Sequence, residues 1–111
     1  MSDLKKFLKD TYDMEIQNIE QFQFKVHNLR FEKIRDYLIM HGNILSEDLN
    51  EKIYIAIVYG GIAHKNPAYL AIQLTECIII NISAKEGLFD QHTIEGVINE
   101  FKAEFKDYIE E

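Results

Sequence analysis

Asn66-Pro67-Ala68-Tyr69-Leu70-Ala71-Ile72-Gln73-Leu74-Thr75-Glu76-Cys77-Ile78-Ile79-Ile80-Asn81-Ile82-Ser83-Ala84-Lys85 is the stretch whose reading decides the fold. Asn is a good helix cap, and Pro suits the first helical position, where its missing N–H has no partner to lose. After Pro67 no Gly or Pro occurs until Gly87. The isoleucines favour a strand by propensity. An unbroken run of this length is nevertheless unusual for a strand and ordinary for a helix. Wound at about 100° per residue, Tyr69, Gln73, Glu76 and Ser83 share one narrow arc with Ile80, and almost everything else is apolar. The expectation is a helix that wants to be surrounded.

The stretch before it has the same character. Ser46-Glu47-Asp48 reads as a cap with acids in the first turn, and the apolar residues from Leu49 run to Ala63. Ala56, Gly60 and Ala63 would let a neighbouring helix approach closely. A buried strand over Lys52–Val58 competes with this reading, and length favours the helix. Two helices that are apolar nearly all round are hard to cover within 111 residues, because small domains have much surface for their volume. Part of that surface is expected to lie against a second copy, giving a homodimer.

Three further segments read as helices. Ser2-Asp3 can cap one through Tyr12, with Leu4, Phe7 and Leu8 on one stripe. In Leu29–His41, Phe31, Ile34, Leu38 and His41 share a face, and Gly42 follows as a left-handed stop. Asp90 can cap a last helix in which Ile94, Val97, Ile98, Phe101, Phe105, Tyr108 and Ile109 recur at three- and four-residue steps. Ile16–Val26 fits both periods: Ile16, Ile19, Phe22, Val26 and Leu29 are spaced as in a helix, whereas Phe22, Phe24 and Val26 alternate as in a strand. The helical spacing is preferred. The whole is expected to be an all-α domain, a compact bundle of five or six helices with a largely apolar central pair, spanning 1–111 as one globular unit. The alternative is α+β with a small sheet built near 22–26, 53–59 and 69–82.

Composition narrows the function. A hydrophobic fraction of 47% excludes a disordered chain. Five Gly and one Pro leave few tight turns, which argues against a β-sandwich. The formal net charge of -7 disfavours nucleic acid and anionic membranes as partners, since both need clustered Lys and Arg. Basic proteins are favoured instead. Neither a signal peptide nor a membrane-spanning run is legible, and the single cysteine, Cys77, fits a reducing, cytoplasmic setting as a small buried hydrophobe.

No motif announces catalysis. Gly60-Gly61 lacks the Lys-Ser/Thr of a phosphate loop and suits packing or a turn. His27, His41, His64 and His92 stand in no metal-ligand spacing; His92 and Glu95 form only a reversed half of a Glu-x-x-His pair. No metal site or cofactor is expected. Glu76, with Gln73 and Tyr69 on its arc, is the one candidate polar pocket, in which a buried carboxylate would act as acid, base or ligand. On the bland reading the three simply face water.

The C-terminal region carries the clearest functional signal. Residues 86–111 hold eight acids against Lys102 and Lys106, so this quarter of the chain carries -6 of the net charge. Glu100, Glu104, Asp107 and Glu111 are spaced by four, three and four, on one side of the last helix. Like charges at that spacing destabilise a helix by about 0.2–0.5 kcal/mol per pair, and acids oppose the dipole at a helix C-terminus. Local stability therefore does not explain them; a basic partner or simple solubility does. The leading expectation is a small acidic protein-binding domain that uses these four residues, of the kind found in immunity or antitoxin-type inhibitors of a basic protein. A small helical enzyme or ligand-binding protein with its pocket around Glu76, and a homo-oligomeric accessory subunit, are the alternatives.

Overall fold

A computed structural model of the chain describes residues 2–13, 19–60, 66–84 and 92–110. Its elements run α1 (Ser2–Tyr12), β1 (Glu20–Lys25), α2 (Phe31–His41), β2 (Gly42–Asp48), β3 (Ile53–Gly60), β4 (Asn66–Leu74), β5 (Cys77–Ala84) and α3 (Thr93–Glu104). The five strands form one antiparallel sheet in the order β1-β5-β4-β3-β2. The fold is therefore α+β, and the expected all-α bundle of five or six helices is overturned.

The error has a definite cause. Even-numbered residues of β3, β4 and β5 face α2 and α3: Tyr54, Ala56, Val58, Leu70, Ile72, Ile78, Ile80 and Ile82 are all buried there. Odd-numbered residues face the other way, where Ile55 and Ala71 lie buried under Leu4 and Leu8 of α1. A strand covered on both faces loses the apolar–polar alternation that identifies strands, and reads as a continuous apolar run. The supposed apolar central helix pair is the centre of this sheet.

The turns explain the rest. Asp48 does cap backbone N–H groups, accepting from Asn50 and Glu51 at 3.1 Å each. It closes an Asx turn into β3 instead of opening a helix. Between β4 and β5 the reversal needs no Gly or Pro. The Thr75 hydroxyl accepts from the Cys77 N–H at 3.2 Å, and the Thr75 N–H donates to the Cys77 carbonyl at 2.9 Å. Pro67, the second residue of β4, stands opposite Tyr59, one residue before the β5 ladder begins at Ala68 and Ala84, so no β5 bond is lost to its missing N–H. In β1 the alternation of Phe22 and Phe24 prevails over the helical spacing, which also drew on Ile16, outside the described residues.

α1 and α2 are where the stripes place them, whereas α3 ends at Glu104, before the Phe105, Tyr108 and Ile109 of its stripe, and its expected cap Asp90 lies outside the described residues. Gly42 ends α2 with extended backbone, not the left-handed stop expected, and passes directly into β2. A Cβ there would run into the Ile57 carbonyl of β3, so the close strand approach is what requires glycine. At Gly60 a Cβ would stand 2.7 Å from Val97 of α3, so this glycine lets the helix cross the sheet.

Candidate functional site

The C-terminal half of α3 packs on α2 through aromatic rings. Tyr37 meets Phe101 edge-on at 5.3 Å and Phe105 at 5.5 Å, and its other side lies 4.4 Å from the His41 ring. Phe101 and Phe105 are buried because they close the core over β3 and β4. Where the two helices part, a cleft of about 150 Å³ opens between Lys33, Asp36 and Met40 on one side and Glu104 and Tyr108 on the other. Met40 is 77% exposed, the most exposed large hydrophobic side chain described. The Lys33 ammonium sits 6.0 Å above the Tyr108 ring.

This cleft receives part of the acidic stripe. Glu100 and Glu104 lie one turn apart on α3, Glu100 half-buried and Glu104 exposed. Both act on Tyr37: burial, then the negative charges of Glu100 and Glu104, push its phenol well above the usual tyrosine range. The helix ends at Glu104, so Asp107 lies in the turn beyond it, exposed. Glu111 falls outside the described residues. Among the described residues neither Glu104 nor Asp107 makes an ion pair. The acids are thus near one another, but on a helix end and a turn, not on one continuous helix.

The second candidate set is not gathered. On a strand of about 3.3 Å per residue, Tyr69 and Gln73 stand about 13 Å apart on β4, and Glu76 is at the exposed tip of the β4–β5 hairpin. Gln73 donates to the Glu51 carbonyl at 3.2 Å, while Tyr69 packs beside α1. The arc that united them belonged to a helix that does not form. Cys77 is half-exposed at the start of β5.

A larger groove, about 610 Å³, lies between β1 and α3. Phe22, Phe24, Ala84, Ile94 and Ile98 make its apolar surface, and Glu20, Glu95 and Lys102 stand among its polar lining. The Lys102 ammonium lies 5.6 Å above the Phe24 ring. His92 and Glu95, the reversed half-pair, meet at 3.5 Å, with both side chains mostly in solvent. Among the described residues no three His, Cys, Asp or Glu side chains gather to hold a metal. No described helix is long and apolar enough to cross a membrane.

No protein-family model, curated protein or solved structure matches the chain. Function therefore rests on the surfaces just described. The groove and the Met40 cleft escaped the sequence reading. Alternation of Phe22 and Phe24 was the signal for the first. For the second it was Ile39 and Met40, which fall off the apolar arc of Phe31, Ile34 and Leu38.

Proposed function

We propose that this chain is a protein-binding domain that receives a basic partner at the end of α3, in the manner of a small inhibitor or immunity-type protein. One observation carries the reading: Glu104, which lines the cleft with the exposed Met40, and Asp107 in the turn beyond it are exposed and without ion pairs among the described residues. Acids at a helix C-terminus oppose the dipole, so helix stability gives no reason for them. A flexible Met side chain next to Tyr37 and Tyr108 supplies adaptable apolar contact, and aromatic and Met residues are enriched at interfaces. Carboxylates around such a contact speed encounter with a cationic surface and select against acidic ones.

The test compares the chain with its Glu100→Gln/Glu104→Gln/Asp107→Asn variant as baits at low salt. The expected result is one strongly basic protein retained by the original chain, released as salt rises and bound at least tenfold more slowly by the variant. Equal retention by both baits, or a salt-independent complex, would overturn the reading.

A further inference from the structure

We infer that the groove between β1 and α3 binds a short apolar peptide in extended form, its ammonium at the Glu20 and Glu95 end and its carboxylate at the Lys102 end. This site shares no residue with the acidic surface at the end of α3 and does not depend on it.

The groove has two chemically distinct ends because α3 runs the same way as β1. At the start of the helix the Asn66 side-chain amide donates to the Thr93 hydroxyl at 3.2 Å. Asn66 opens β4, and the Ala68 that follows it pairs with Ala84, the last residue of β5. The same end of β5 sets Ile82 opposite Glu20. The first turn of α3, with Glu95, therefore stands at the Glu20 end of the groove. At the other end the Lys102 ammonium lies 5.6 Å above the Phe24 ring, and Asn99 precedes it by one turn. Four strand residues from Glu20 to Phe24 span about 13 Å. Seven helical residues from Glu95 to Lys102 span about 10 Å.

Between these ends the surface is apolar. Phe22, Phe24, Ala84 and Ile94 are half-buried, and Ile98 is buried. At about 610 Å³ the groove falls in the size range of small-molecule sites, which combine an apolar floor with a few placed polar groups. The polar groups are not consumed internally. Glu20, Asn99 and Lys102 are exposed, and none of them makes an ion pair or a side-chain hydrogen bond among the described residues. Glu95 meets His92 at 3.5 Å, with both side chains mostly in solvent.

Opposite charges about 10–13 Å apart across an apolar floor select an elongated, dipolar ligand. An uncharged apolar molecule leaves both ends unanswered. A molecule anionic at both ends meets Glu20 and Glu95, and one cationic at both ends meets Lys102. An extended peptide spans about 3.3–3.6 Å per residue, so three or four residues set a terminal ammonium and a terminal carboxylate at this separation. Apolar side chains then lie on Phe22, Phe24 and Ile94. The end charges also fix direction, since a reversed peptide brings like charges together.

Trileucine titrated into the isotope-labelled chain, followed by amide chemical shifts, tests the site. The expected result is saturable shifts concentrated in β1 and α3. Capping the peptide probes each end without altering the protein. N-acetylation or C-amidation should each weaken binding about threefold to fivefold, as loss of one exposed ion pair does. Lys102→Gln should weaken binding of free trileucine by a similar factor and abolish the effect of C-amidation. Glu20→Gln/Glu95→Gln should do the same for N-acetylation, because removing either partner of a pair removes the one interaction. The absence of shifts in β1 and α3 at millimolar trileucine, or equal binding of free and doubly capped trileucine, would overturn the inference. So would a C-amidation effect as large in Lys102→Gln as in the original chain.

Discussion

The face of the sheet beneath α2 and α3 and the face beneath α1 are covered to very different depths. Between α2, α3 and the sheet, eighteen of the described residues are buried in one cluster, including Tyr54, Ile72, Ile80 and Phe101. Under α1, among the described residues, only Leu4, Leu8, Ile55 and Ala71 are buried together. Ile57, Tyr69 and Ile79 on that face are half-exposed, and Tyr59 is 37% exposed. The polar groups follow the same division. Asn81 and Ser83 are buried on the α1 face, where the Gln21 side-chain amide donates to Asn81 Oδ1 at 3.1 Å. The helix-pair face thus holds the fold together, and the α1 face is a thinner layer with room for polar side chains.

Deep truncation should break this contrast most visibly. Phe101→Ala empties the junction of α2, α3 and the sheet, where the Phe101 ring packs on both Tyr37 and Phe105, and is expected to cost about 3–5 kcal/mol. Chemical denaturation should show a lower midpoint with an unchanged slope. Leu8→Ala removes an equally buried side chain from the thinner face and should cost nearer 2 kcal/mol. Amide exchange should sharpen the result: α1 amides should lose protection while those of β4 and β5 keep theirs. Equal losses from the two variants, or global loss of protection in Leu8→Ala, would mean that the faces are energetically alike.

Alkaline pH probes the helix-pair face alone, with a smaller effect. Burial, then the nearby Glu47 charge, pushes the Tyr54 phenol up to about 12, and burial with Glu100 and Glu104 also raises Tyr37. An unfolded tyrosine titrates near 10. The folded state thus holds these protons more tightly, so their contribution is intact below pH of about 10 and is lost as pH rises toward 12. Tyr54→Phe should flatten that decline. It should also cost about 1 kcal/mol at neutral pH, because the Tyr54 hydroxyl donates to the Phe31 carbonyl at 3.3 Å. An alkaline profile identical in the two chains would exclude Tyr54 as its source.

The same contrast explains what the sequence could reveal. Each helix lies on one face of the sheet with its other side in water, so each shows a three- and four-residue stripe, and all three were legible. β3, β4 and β5 have both faces covered and show no alternation; only their isoleucine content spoke for strands. The hairpin at Thr75-Glu76 is held by a threonine hydroxyl, which composition does not flag as a turn. The acids at the end of α3 were legible as a charge excess. Their division between helix and turn was not, because Phe105, Tyr108 and Ile109 continue the helical spacing past Glu104. These three serve the core and the Val26 bridge after the helix has ended.

The sheet order also bears on how the molecule assembles. Strands β2 to β5 are sequential neighbours, so their ladders close short loops. The β1–β5 ladder joins Phe22 to Ile80 across more than half the chain, and the entropy of closing so long a loop must be overcome before that pairing is rewarded. The β2–β5 meander is therefore expected to form without it, with β1 docking last onto a template already in place. On that order β1 is the last strand to arrive, and until it does the β5 edge of the meander is uncovered. Newly made copies have their greatest opportunity to mispair, β5 edge to β5 edge, during this stage of folding.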